Sequence, residues 1–133
     1  MTNRPALDIL SRWGPALVLM AVIFAASATP GEDLPNAGEW DTLFKKGGHL
    51  LGYALLGAAY LRGLVASRRP TVSDMGTAVL LAALYAGSDE LHQRFTPGRS
   101  PSLTDVGIDV LGAIGGAASR GWWRRRARAT GRT

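Results

Sequence analysis

The stretch Tyr85-Ala-Gly-Ser-Asp-Glu-Leu-His-Gln-Arg-Phe-Thr-Pro-Gly-Arg99 decides how this chain is read. An apolar run from Ala78 to Tyr85 leads into it. Asp89, Glu90, His92, Gln93 and Arg94 then arrive together, and Pro97-Gly98 ends the segment. A helix of a soluble core carries a polar stripe along its whole length. An apolar helix whose polar groups gather at its last turns fits a membrane span that ends in a site. The first question is therefore whether the remainder of the chain fits a membrane.

Working outward, three more apolar runs appear. Trp13 to Ala28 carries no charge and makes roughly 24 Å of helix, enough to cross a ~30 Å hydrocarbon core with its flanks. A cleavable signal peptide competes for this run, since Ala26-Ser-Ala28 resembles a cleavage site. The apolar runs that follow favour a retained span. Gly47 to Ala66 is interrupted by His49 and Arg62. The last run begins after Thr96-Pro-Gly-Arg-Ser-Pro-Ser102 and carries Gly107, Gly112, Gly115 and Gly116. Its Gly112 and Gly116 form a G-x-x-x-G pair that favours close helix packing. Ser73-Asp74 is the expected cap of the third helix, and Ser102 or Thr104 of the fourth.

These runs predict an all-α, polytopic membrane protein with about four transmembrane helices. Residues 1–133 form one transmembrane domain with helices roughly over 11–28, 47–66, 74–94 and 103–121, then a basic tail 122–133. Four soluble helices would each need a polar face. Leu17 to Ala26 has none, and the chain is too short to bury such helices in protein. No cysteine is present, which excludes disulfides and thiolate metal sites.

Charge orients the expected spans. The net charge is +5, and six arginines lie in the last fourteen residues. With four spans, Arg4, Arg12, Arg62, Arg68, Arg69 and the tail arginines share one side, eleven cations in all. The other side holds Lys45, Lys46, Arg94 and Arg99. Positive charge stays cytoplasmic, so both termini are expected inside the cell membrane. The acidic first loop (Glu32, Asp33, Glu39, Asp41) and the 96–102 loop then face outward. Trp13, Trp40, Trp122 and Trp123 fall at expected interfaces. The basic tail reads as an anchor on anionic membrane lipids and not as a nucleic-acid reader.

This orientation gathers polar groups at the outer face. Lys46, His49 and Tyr53 share one side of the second helix by their spacing, as do Asp89, His92 and Gln93 on the third. Asp105 and Asp109 lie one turn apart on the fourth. Glu90 and Arg94 form an i, i+4 pair. Intramembrane ionisable groups are costly and face the bundle interior with partners. Asp109 therefore needs Arg99, Lys46 or His49 beside it, or a proton. Arg99, Lys46 and His49 are the candidates to hold negative charge, because arginine forks match phosphate oxygens. Asp89 or Glu90 is the candidate general base, with His49 or His92 as acid or nucleophile. Gln93, Asp105 and Asp109 complete the network. His49, Asp89, Glu90, His92, Asp105 and Asp109 have the chemistry to bind zinc or manganese. Without a His-Glu-x-x-His helix, a salt-bridge network is the simpler expectation, with no metal and no cofactor.

The pattern Lys46-Gly-Gly-His49-Leu-Leu-Gly-Tyr53, then Ser88-Asp-Glu-Leu-His-Gln93, Phe95-Thr-Pro-Gly-Arg-Ser100, Asp105-Val and Asp109-Val-Leu-Gly112 resembles the VanZ-like membrane protein family. The resemblance spans residues 10 to 120 or so. It implies an envelope role in the setting of resistance to the glycopeptide teicoplanin, with a lipid-linked envelope precursor as an expected partner. It supplies no reaction. Two positions depart from it. The family often has Asp-Lys where this chain has Lys45-Lys46, and often Asn where Asp109 stands, which redistributes any ion-pairing scheme. Two other classes fit the residues: a scaffold using the glycine seam to bind a partner or a second copy, and a small ion-coupled permease.

Overall fold

The computed structural model describes residues 5–30, 41–129 and 131. Among these the chain is all-helical, with four helices and no strand. The helices are α1 (Pro5–Ala28), α2 (Asp41–Val65), α3 (Val72–Gln93) and α4 (Leu103–Ala129). The acidic positions 32, 33 and 39, Trp40, Arg4 and Arg132 lie outside the described residues.

Helix ends follow local chemistry. α1 starts at Pro5, earlier than the apolar run suggested, because proline suits a first helical position and Asp8 complements the first turn. Pro15 inside α1 lacks the N–H that would bond the Ser11 carbonyl. Arg62 of α2 donates to that carbonyl instead, at 3.2 Å. The cap of α3 is Thr71, two residues before the expected Ser73. Thr71 and Asp74 form a reciprocal capping box. The Arg68 guanidinium grips Asp74 with two hydrogen bonds of 2.6 Å. That grip, with the Thr71 bonds, holds the exposed Asp74 carboxyl below the usual carboxylate range. At α4 the Ser102 hydroxyl accepts from the Thr104 N–H at 3.1 Å. α4 runs well past 121, since nothing in Trp122 to Ala129 breaks a helix, so the basic tail is largely helical.

The interior combines alanines with large side chains of α2, Tyr53, Leu56, Tyr60, Leu61 and Val65. Ala78, Ala82 and Ala86 form the inner face of α3, each at 0% exposure, while Leu80 and Leu84 on its outer side are 59% and 64% exposed. α2 is the central element. It meets every other helix, and its most extensive contact is with α4. Gly112 and Gly116 explain that closeness. A Cβ on Gly112 would strike the Leu50 carbonyl, and one on Gly116 the Ala54 carbonyl. The G-x-x-x-G pair is thus spent on α2 within the chain.

By composition, one helix among the described residues is long and apolar enough to cross a membrane. It covers Leu7–Ala28, with mean hydropathy 1.8. Charges and glycines lower the others below that level.

Candidate functional site

The loop after α3 sets the site. Gln93 ends α3, and the chain turns through Phe95 N–H to His92 and Thr96 N–H to Gln93. Gly98 takes φ of 71°, the left-handed region that glycine tolerates. The turn folds Arg99 back over α1, where its Nη2 donates to the Ala26 carbonyl at 2.8 Å. Arg99 therefore caps the end of α1, and does not pair with Asp105. Lys46 pairs with Asp105, Nζ to Oδ1 at 3.1 Å. One turn deeper, His49 Nδ1 meets Asp109 Oδ1 at 3.4 Å. α2 and α4 are thus joined at two levels above the glycine seam, by the Lys46–Asp105 ion pair and by an imidazole–carboxylate contact that is an ion pair when His49 is protonated.

A second cluster joins α1 to α3. Ser27 Oγ donates to Asp89 Oδ2 at 2.6 Å. Gln93 Nε2 donates to the same oxygen at 3.2 Å and lies 3.3 Å from Ser27 Oγ. Glu90 turns toward α4, where Oε2 accepts from the Ser102 N–H at 2.9 Å. That contact places a carboxylate at the start of α4, where the helix dipole favours it.

These groups enclose a cleft of about 500 Å³. Lys46, His49, Glu90, Gln93, Arg99, Asp105 and Asp109 line it, together with Lys45 and Ser100. Of the residues singled out from sequence, Asp89 stands behind the wall, tied to Ser27. His92 is outside: its ring lies on Phe24 with centroids 4.5 Å apart. Among the described residues no three histidines or carboxylates converge on a point that would hold a metal.

Sequence reading missed one member. Ser27 is one polar residue in a long apolar run, and only the tertiary contact shows its role. Tyr53, placed by its spacing beside Lys46 and His49, is fully buried, with its hydroxyl lacking a partner among the described residues. Its ring stacks near His49, centroids 6.3 Å apart.

The chemistry open to this arrangement is specific. With Nδ1 turned to Asp109, Nε2 is the His49 ring nitrogen left to meet a ligand in the cleft. The carboxylate fixes the ring, as a second group must if histidine is to move a proton at a set place. Cations and carboxylates alternate along the walls, so a bound anion would compete with Asp105 and Asp109 for Lys46 and His49.

A small four-helix protein with an ion-paired cleft at one end is the class these features define. The model of the VanZ/LLP1 family matches residues 13–123, and the chain belongs to that family. Members are generally membrane associated. Neither the curated proteins nor the solved structures give a match.

Proposed function

We propose that the protein is a multi-pass membrane protein whose outer-face cleft binds the phosphate headgroup of a lipid-linked envelope precursor or its carrier. Four spans are supported by the inverted packing. Large apolar side chains point outward on every helix: Leu17 and Val22, Leu51 and Leu55, Leu80 and Leu84, Leu111 and Ile114. Alanines supply the buried faces of α3 and α4, while the large buried side chains come mainly from α2, Tyr53, Leu56, Tyr60, Leu61 and Val65. A soluble helix buries its large apolar side chains, whereas membrane helices pack through small residues and turn many large ones to lipid. With Arg12, Arg62, Arg68, Arg69, Arg120, Arg124, Arg125 and Arg126 toward the other end among the described residues, the positive-inside rule favours the cleft outside and both termini in the cytoplasm.

The observation that carries the ligand is the continuity of the cleft with an apolar groove. A groove of about 270 Å³ opens between α1 and α2, lined by Val22, Ile23, Phe44 and Gly52. It shares Lys45, His49 and Arg99 with the polar cleft. A headgroup in the cleft and an isoprenoid chain in the groove would fit one amphipathic ligand. Arg99 and Lys46 would take the phosphate oxygens by charge-assisted bonds. His49, oriented by Asp109, would bond a phosphate oxygen or carry a proton to it. That dyad also favours a second reading, turnover at the phosphate with His49 as acid and base. Glu90 and Asp89 then serve by positioning, through Ser102 and Ser27. The scaffold reading loses support, because Gly112 and Gly116 already face α2.

The test is binding of a polyprenyl phosphate to the purified full chain, followed by native mass spectrometry. Arg99→Ala and Lys46→Ala should each weaken binding about tenfold, the worth of one charge-assisted bond. Unchanged binding in both variants would defeat the proposal.

A further inference from the structure

The end of the bundle opposite the ion-paired cleft holds a second one. The start of α1 and the ends of α2 and α4 enclose about 400 Å³, lined by Arg12, Arg62, Arg120 and Arg124. Asp8 is the one carboxylate among the described residues lining it.

Helix capping explains part of this cluster. Arg12 Nη2 donates to the Gly63 carbonyl at 2.7 Å. Arg62 takes the Ser11 carbonyl that Pro15 released. Arg124 donates to the Ala66 carbonyl just past the end of α2. These bonds fix the guanidiniums in place but use few of the five N–H donors each one has. The Nε–H groups of Arg12, Arg120 and Arg124 are shut off from solvent with no acceptor among the described residues. Arg120 has no part in the capping at all.

Charge settles the comparison. A helix C-terminus offers roughly half a negative charge, and Asp8 one more, against four guanidiniums. The excess is roughly +2.5, held together at one end of the bundle. Capping needs no such excess, whereas an anion would use it.

The surface beside the arginines shows what kind of anion fits. An apolar groove of about 480 Å³ runs along α2 and α4 past Leu55, Ala58, Gly116 and Trp123. It shares Arg120 and Arg124 with the arginine cleft.

We infer that the arginine cleft is a second ligand site, holding the phosphate of an anionic phospholipid whose acyl chain lies in the α2–α4 groove. Guanidinium forks bind phosphate oxygens in pairs. Under the multi-pass reading the cleft faces the cytoplasmic leaflet, where anionic lipid is the available partner. The lipid would tie α1, α2 and α4 together at the end remote from the headgroup cleft. The inference rests on the multi-pass reading for the lipid's access, and on nothing proposed about the other cleft.

The experiment uses the delipidated full chain in neutral detergent. Phosphatidylglycerol, phosphatidylcholine and inorganic phosphate are titrated separately, with bound species counted by native mass spectrometry. Phosphatidylglycerol should bind about tenfold more tightly than phosphatidylcholine. Arg120→Gln, which breaks no capping bond, should remove most of that preference. Arg69→Gln, an exposed arginine of the same end outside the cleft, should leave it within about twofold. Equal binding of the two lipids would overturn the inference. So would binding of phosphate without lipid preference, or equal effects of Arg120→Gln and Arg69→Gln. Loss with Arg99→Ala but not with Arg120→Gln would assign the lipid to the other cleft and also overturn it.

Discussion

Asp109 is 1% exposed, and His49, which pairs with it as an ion when protonated, is the side chain it meets. Removing one member of a buried ion pair leaves the other charge uncompensated, at a cost of about 3–5 kcal/mol. His49→Ala should therefore destabilise the protein strongly. Adding Asp109→Asn should restore part of the loss, with a coupling of about 1–3 kcal/mol in a double-mutant cycle. Reversible unfolding in mixed micelles measures it, and additive losses would mean that the two side chains do not act as a pair. At this scale the sequence was informative where spacing decides. Lys46 with His49, and Asp105 with Asp109, each lie about one turn apart, so their shared faces were readable. Which cation meets which acid was not readable. Arg99 goes to a backbone carbonyl of α1 and Lys46 to Asp105, outcomes set by the path of the loop at Gly98. Ser27 carried no pattern of its own.

Among the elements, the contact of α2 with α4 depends on hydrogen at three positions, Gly57, Gly112 and Gly116. Gly116→Ala puts a methyl into the Ala54 carbonyl, and backbone cannot swing aside as a side-chain tip can. The expected cost is about 1–3 kcal/mol or more, as for other overpacked sites. Gly115→Ala meets nothing within 4 Å and serves as the control. It should be neutral or slightly stabilising, since alanine is the better helix former. Thermal unfolding of the two variants in one detergent decides this, and equal midpoints would contradict the packing described. The G-x-x-x-G pair was legible, but its partner was not, because a small-residue seam reads the same whether it faces a neighbour in the chain or a second copy.

The corner between α2 and α3 has a pH signature. Arg68 lowers the Asp74 carboxyl, so its contribution is present above the ordinary carboxylate range and lost only as pH falls through the lowered value. Amide exchange at the Thr71 cap should stay slow through about pH 4 and quicken in stronger acid. Arg68→Gln should move that change up toward about pH 4. A midpoint unmoved by the substitution would show that Arg68 does not set it. The cap itself shifted from the expected Ser73 to Thr71 because Thr71, three residues ahead of Asp74, closes the reciprocal box.

For the whole molecule, the helical class was legible because uniformly apolar runs leave few alternatives. The helix ends were less so, since α4 carries its helix through the basic tail and α1 begins before its apolar run. Two amphipathic clefts at opposite ends, one mixed in charge and one basic, were not visible as clefts. Their walls come from residues far apart in sequence, as Arg12 and Arg124 illustrate. Together they are the two sites that the proposed lipid ligands would occupy.

Ser100 lines the ion-paired cleft, and the chain has no cysteine of its own, so Ser100→Cys offers one clean reporter. The measurement is its labelling by a membrane-impermeant maleimide in intact cells, with and without added polyprenyl phosphate. The account predicts rapid labelling from outside that the polyprenyl phosphate slows. Labelling only after the membrane is opened, or labelling from outside at a rate the lipid leaves unchanged, would contradict it.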